Sequence, residues 1–343
     1  MPRMNDFNRR TPPMLSLRNL PRLLAVVAAG ASLSLAASAA SAQSVEYRLG
    51  TGTPPSHVWT KAAERLAEQV GEKSGGEIKI SVFPAAQLGP ESDLLQQMQV
   101  GVLDMSIVSA AAASARGPAF LAWFSPFAFA DVEEAIAASK GETAQEILET
   151  LKPQGIRGLG YVFAGMRHIL TTNKAATTLD DLAQKKIRIT PFPGMQVWWA
   201  AAGAVPTPVQ LADVYQSLDS GLLDGVDIDL DALVGQSLQQ VAKHLTVSNH
   251  MAFPGVVMIN ENSWGKMSAE QQEIFDTVLD ETLSWASDLQ IETEQRLLSQ
   301  LEGEIEVVRL EDAKSVFSTA NKAFDDAFEK IPEVAKFQSE IAQ

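Results

Sequence analysis

The sequence predicts an α/β fold in two lobes, with a cleft between them and a long helix joining both. Three observations carry that expectation. From Val45 onward short apolar runs alternate with helix-period patterns, as parallel strands covered by helices do. The stretch from Leu179 to Asp231 shows this most compactly: strand, helix, strand, helix, strand, with Gly203 and Gly221 closing the helices. The third observation is a helical pattern from Ser268 to about Leu301. At 1.5 Å per residue it would run roughly 50 Å, more than one lobe can hold.

At 343 residues the chain can bury two cores, and 46% apolar against 20% charged residues marks a globular sequence. Cysteine is absent, which excludes disulfides, thiol catalysis, zinc-thiolate sites and iron–sulfur clusters. The first forty-odd residues differ in kind. Arg9, Arg10, Arg18 and Arg22 precede the apolar run Leu23 to Ala31, and Ala40-Ser41-Ala42 stands before Gln43 as a small-x-small cleavage pattern. That is the layout of a secretory signal peptide over residues 1–42; the apolar run is too short and too alanine-rich for a membrane span. Arg9-Arg10 leaves twin-arginine export open beside the general route. Without this leader, which holds five arginines and one aspartate, the net charge moves from −15 to −19. So acidic a surface repels nucleic acid and anionic membranes, and an anionic ligand must be held by a few local cations. No later segment is apolar for 18 residues, so the mature chain is expected to be soluble, without membrane insertion, and monomeric.

Taken in order, Val45 to Thr51 reads as a first strand, followed by the turn Thr53-Pro54-Pro55-Ser56-His57. Val58, Ala62, Leu66 and Val70 form the stripe of a helix that Gly75-Gly76 ends. Ile78, Ile80 and Val82 alternate with Lys79 and Ser81 in a half-buried strand. Pro90 opens a helix ending at Gly101, and Leu103 to Val108 is the next strand. Such a β-α-β-α-β start belongs to an open parallel sheet, which binds ligands at the carboxyl ends of its strands. Candidates there are Thr51, Thr53, His57, Glu91 and Ser109, all residues that also serve as helix caps or dipole partners. The aromatic segment Pro118 to Asp131 is expected to be a buried crossing loop.

Two helices to about Lys152 and a strand from Ile156 to Val162 lead to Gly165-Met166-Arg167-His168 and a further strand, putting Arg167 near a lobe junction. The strand Lys186 to Thr190 sets Arg188 between Ile187 and Ile189. Strand alternation turns it away from the isoleucine core, toward solvent or toward a cleft. Asp227, Asp229 and Asp231 alternate as if on one strand face, but the glycine turn and closing glutamate of a calcium loop are missing. Beyond them come a helix to about Val241, strands near Leu245 and from Val256 to Ile259, the long helix opened by a Ser268–Gln271 capping box, and a strand with one or two helices over 305–337. The four histidines are not at metal-ligand spacing, and HExxH, GxSxG, P-loop and GxGxxG motifs are all absent. No cofactor, no metal and no nucleophile–base pair are expected.

The segments SGGEIKISVFPAAQLGPESDLLQQMQVGVLDM, SPFAFAD, GMRHILTTN, LAQKKIRI and GAVPTPVQLADVYQSLDSGLLDGVD, in this order, resemble the substrate-binding proteins of tripartite ATP-independent periplasmic (TRAP) transporters. The resemblance covers nearly everything after the leader. It implies a periplasmic-binding-protein-like fold that closes over a small organic acid without catalysis, a periplasmic location, and integral-membrane permease subunits as partners. It also implies that Arg188, in the KIR strand, grips the ligand carboxylate and that Arg167, in the GMR segment, assists. A planar, permanently charged guanidinium suits that task. Ser109, Asp227, Glu91, Thr53 and His57 complete the expected ligand-binding set. Sialic-acid-binding members follow the Asp-Gly of the last strand with Gln-Glu-Asn-Pro, where this chain has Val226-Asp227-Ile228-Asp229, and carry an acid where Ser109 stands. Sialic acid is therefore not the expected ligand. A secreted enzyme acting on a small carboxylic acid, and a ligand-sensing module for a membrane receptor, are the alternatives. The lobes are expected to be discontinuous, residues 43–164 with 254–293 and residues 165–253 with 294–343.

Overall fold

A computed structural model of the chain describes residues 44–342. The leader expected over residues 1–42 lies outside the described residues. Two sheets organise the described chain. The first holds β1 (Val45–Thr51), β2 (Ile78–Phe83), β3 (Met105–Ser109), β4 (Ile156–Met166) and β10 (Ala252–Asn260), in the order β2-β1-β3-β10-β4. The second holds β5 (His168–Thr171), β6 (Lys186–Ile189), β7 (Val205–Pro208), β8 (Gly225–Ile228), β9 (His244–Val247) and β11 (Glu306–Arg309), in the order β11-β9-β5-β8-β6-β7.

The expected parallel pairing holds for β1 with β2 and β3, and for β6 with β7 and β8. The sheets are nonetheless mixed. β10 runs antiparallel to both β3 and β4, and β5 antiparallel to β8 and β9. Every residue of β10 is buried, so its apolar run reports burial on both faces and says nothing of direction.

The chain passes from the first sheet to the second between β4 and β5 and returns between β9 and β10. A third crossing is the helix Ala269–Glu302, whose 34 residues begin at the Ser268–Gln271 capping box. Its Phe275, Val278, Leu279 and Ala286 belong to the larger core, which takes in the first sheet and also Ile169, Ile187 and Ile189 of the second, and its Leu297 and Leu301 to a smaller core on the second sheet. Apolar side chains on one face of this helix therefore fasten both sheets to a common rod.

Three local expectations are corrected. The aromatic segment is a 3-10 helix at Pro118–Phe124, with Phe120, Trp123 and Phe124 wholly buried, where a loop was expected. The helix read to about Val241 ends at Gly235, and a separate 3-10 turn covers Leu238–Gln240. The three aspartates share no strand face: β8 ends at Ile228, Asp229 caps the helix Leu230–Gly235 through the Ala232 N–H at 2.8 Å, and Asp231 lies inside that helix. Capping competes with strand continuation wherever an aspartate precedes a helix. At the far end, the helix Pro332–Ile341 packs on Pro118–Phe124 and Glu142–Glu149, with Phe337 4.7 Å from Trp123 between ring centroids.

Candidate functional site

Strands of both sheets deliver their carboxyl ends to one cavity. Gly52 and Thr53 follow β1, Glu91 opens the helix Glu91–Gln99 after β2, Thr190 follows β6, Gln210 follows β7, and Asp229 follows β8. Arg188 comes from β6 itself and Arg167 from the crossing between β4 and β5. Trp59, Ile228 and Phe253 supply apolar wall. The space between them measures about 690 Å³ with its mouth to solvent included.

Arg188 is only 3% exposed, while its neighbours Ile187 and Ile189 are fully in the core. Its Nε donates to the Val209 carbonyl at 2.8 Å, and no carboxylate among the described residues comes within ion-pair distance of it. Burial and the like charge of Arg167 lower its pKa to about 10, against the pull of Asp227, Asp229 and Glu91. It stays charged at neutral pH.

Arg167 is also buried, but committed. Its Nε donates to Asp227 Oδ1 at 2.5 Å, its Nη1 to Asp229 Oδ2 at 2.9 Å, and its Nη2 to the Asp227 carbonyl. Its guanidinium carbon sits 4.2 Å from the centre of the Phe253 ring. Asp227 stands behind it, outside the cavity lining, and also accepts from Trp199 Nε1 at 2.7 Å and meets His250 Nε2 at 2.9 Å. Burial works to raise the Asp227 pKa; Arg167 and His250 overcome it and hold the carboxyl well below its usual range.

Glu91 is the carboxylate of the first sheet's side. Ser109 donates to it twice, from its backbone N–H at 2.6 Å and from its hydroxyl at 2.7 Å. Ser109 Oγ in turn accepts the Ala112 N–H at 3.1 Å. Ser109 thus lies one layer behind the lining and aims Glu91. Burial raises the Glu91 pKa, against those hydrogen bonds and the nearby Arg188. Thr53 bonds Thr60 at 2.9 Å and Thr51 at 3.2 Å.

His57 caps the helix Val58–Lys73, its Nδ1 accepting the Trp59 N–H at 3.1 Å. Its Nε2 faces Asp229 at 3.7 Å, and Asp231 accepts the Val58 N–H at 2.8 Å. Burial acts to lower the His57 pKa; Asp231 and Asp229 outweigh it and raise the value. Asp229 and Asp231 therefore tie the start of this helix to the segment after β8.

Arg188, Arg167, Glu91, Thr53 and His57 line the cavity as a group, and Ser109 and Asp227 support it from behind. Sequence reasoning did not single out Thr190, Gln210, Trp59 or Phe253. The strand-end rule, applied to β6 and β7 as it was to the first strands, points to Thr190 and Gln210. Trp59 and Phe253 carry no local signal. Trp59 lies against Gly255, where an added Cβ would meet its ring at 2.7 Å, a contact made only by folding. Among the described residues no group of His, Asp and Glu is disposed to hold a metal ion. What the arrangement offers is one uncommitted guanidinium in a sheltered site, suited to hold an anion.

The chain matches the family described as bacterial extracellular solute-binding protein, family 7, over residues 49–331. It is 27% identical over 282 residues to the C4-dicarboxylate-binding periplasmic protein DctP of Rhodobacter capsulatus, covering 82% of this chain and 84% of the relative. It is 26% identical over 245 residues to the sialic acid-binding periplasmic protein SiaP of Vibrio cholerae, covering 71% and 76%. Among solved structures it is similar, at TM-score 0.81 and 26% identity, to a TRAP periplasmic solute binding protein from Sulfitobacter sp. NAS-14.1 with bound β-D-galacturonate, covering 86% of this chain and 98% of that one.

Proposed function

The chain belongs to family 7 of the bacterial extracellular solute-binding proteins, a binding family and not an enzyme family, and from that premise we propose that its cavity captures a small organic acid with Arg188 as the carboxylate clamp. One observation carries the reading: Arg188 is a buried cation with no carboxylate within ion-pair distance among the described residues. A buried charge without an ion-pair partner is costly, and a carboxylate ligand relieves that cost. The relatives named for C4-dicarboxylates, sialic acid and galacturonate bind compounds that all carry a carboxylate. On the same reading Arg167 orders the site through Asp227 and Asp229, the leader over residues 1–42 directs export to the periplasm, and the loaded protein delivers its ligand to integral-membrane permease subunits. The lobes are residues 43–164 with 254–293 and residues 165–253 with 294–343, the last helix resting on the first lobe.

A thermal-shift screen of organic acids tests the reading. A ligand at 100 times its Kd should add about 2.7 kcal/mol of stability, and no shift with any acid would end the proposal. With an acid in hand, titration calorimetry of Arg188→Ala should show a loss of about 2–5 kcal/mol, and Arg188→Lys should recover only part of it because a point charge cannot reproduce the planar fork. Wild-type affinity in Arg188→Ala would remove Arg188 from the clamp.

A further inference from the structure

We propose that Asp231 is a clasp between the two lobes, a positioning residue that sets how long the ligand stays without touching it; the proposal rests on the two-lobed solute-binding reading. The helix Val58–Lys73 follows β1 of the first sheet, and the helix Leu230–Gly235 follows β8 of the second. Their starts meet beside the cavity, where Asp231 Oδ2 accepts the Val58 N–H at 2.8 Å across 173 positions of sequence. Val58 is the first residue of its helix. Its N–H therefore has no acceptor within the helix, and the helix dipole favours a negative charge there. Asp231 is 5% exposed, and its side chain makes no other hydrogen bond among the described residues.

Two features separate this joint from the ligand site. His57 and Asp229 line the cavity, whereas Val58 and Asp231 do not. Asp229 is committed to the Ala232 N–H at 2.8 Å and to Arg167 at 2.9 Å, which leaves Asp231 as the acid given wholly to the other helix. The backbones are also fitted to each other here. A Cβ added at Gly235 would meet Pro54 Cγ and Ser56 Oγ, each at 3.1 Å. A ligand enters when the lobes part, and parting them takes the Val58 N–H from Asp231 and hands both groups to water. Closing restores a hydrogen bond to a charged acceptor, which favours the closed form on the order of 10- to 100-fold. Association begins from the open form and hardly feels the clasp; escape must break it.

Stopped-flow binding of D-galacturonate, D-erythronate and succinate to the purified chain tests this. For any of these that the wild type binds, Asp231→Ala should raise the dissociation rate about 10- to 100-fold and leave the association rate within about threefold. Asp231→Asn keeps an oxygen acceptor without the charge, so it should fall between the two, and it serves alone should Asp231→Ala not fold. An unchanged dissociation rate would overturn the clasp even if the ligand-free protein lost stability, because a contact kept in open and closed forms alike costs stability and not residence time. A second readout needs no ligand. The chain has no cysteine, so spin labels can be placed through Gln87→Cys and Asp213→Cys, exposed positions beyond the carboxyl ends of β2 and β7 and outside the cavity lining. Pulsed electron paramagnetic resonance should show longer label separations in Asp231→Ala than in the otherwise wild-type chain. Silence from all three acids in the wild type would count against the carboxylate reading and leave the clasp to these distances: longer separations support it, and unchanged ones overturn it.

Discussion

Asp227 decides which arginine is free. It is wholly buried and joins Arg167, His250 and Trp199, so the charge of Arg167 is spent inside the protein and that of Arg188 is not. Removing one partner of such a buried pair strands the other, and Asp227→Asn should lower stability at neutral pH by about 3–5 kcal/mol. The pH dependence has a definite sign. The folded pKa of Asp227 lies below the ordinary 3.8, so its contribution is fully present above that value and is lost as pH falls through the folded one. Denaturant melts of the two proteins should therefore differ by a constant amount from pH 7 to about pH 4 and converge below it. A gap that does not narrow at all between about pH 4 and pH 2 would mean that Asp227 acts by shape and not by charge.

At the scale of an element, the long helix governs the passage between the sheets. Its Gln290 donates to the Ala164 carbonyl at 3.0 Å and its Glu294 accepts the Met166 N–H at 3.2 Å, bracketing Gly165. Gly165 has φ +103°, and an added Cβ would lie 2.7 Å from Gln290 Nε2 and 3.0 Å from Glu294 Oε2. Gly165→Ala must therefore bear left-handed strain and also displace the ends of the Gln290 and Glu294 side chains that bond on either side of it, for a loss of about 2–4 kcal/mol. Gly155 is the control: its φ is +73° with nothing within 4 Å of an added Cβ, so Gly155→Ala should lose only about 1 kcal/mol. Guanidinium unfolding of both variants checks the difference, and equal losses would show that the helix contact at Gly165 yields freely.

For the whole molecule, export comes first. Expressed in a host with a periplasm, the chain should be recovered from that compartment beginning near Gln43, as N-terminal sequencing would read. A membrane-retained product with Leu23 intact would contradict the leader. The recovered protein carries its acidic charge outward, with Arg188 buried beside Arg167 and Glu91 on the cavity wall. Its ligand is thus selected inside the cavity, and the surface charge contributes little to that choice.

The sequence by itself determined the α/β class, the long helix with its Ser268–Gln271 box, the strand that buries Ile187 and Ile189 around Arg188, and the strand-end positions of Thr53 and Glu91. These follow from periodicity, capping and alternation, which are local rules and survive without a neighbour in view. Only the tertiary structure decided the rest: that β10 enters antiparallel, that Asp229 caps a helix where a strand was expected, that Ser109 aims Glu91 and Asp227 neutralises Arg167, and that Trp59 and Phe253 wall the cavity. Apart from the Asp229 cap, each of these depends on residues distant in sequence coming together. Two arginines that look alike in the chain differ because a buried charge is defined by its partner, and partners are assigned by folding.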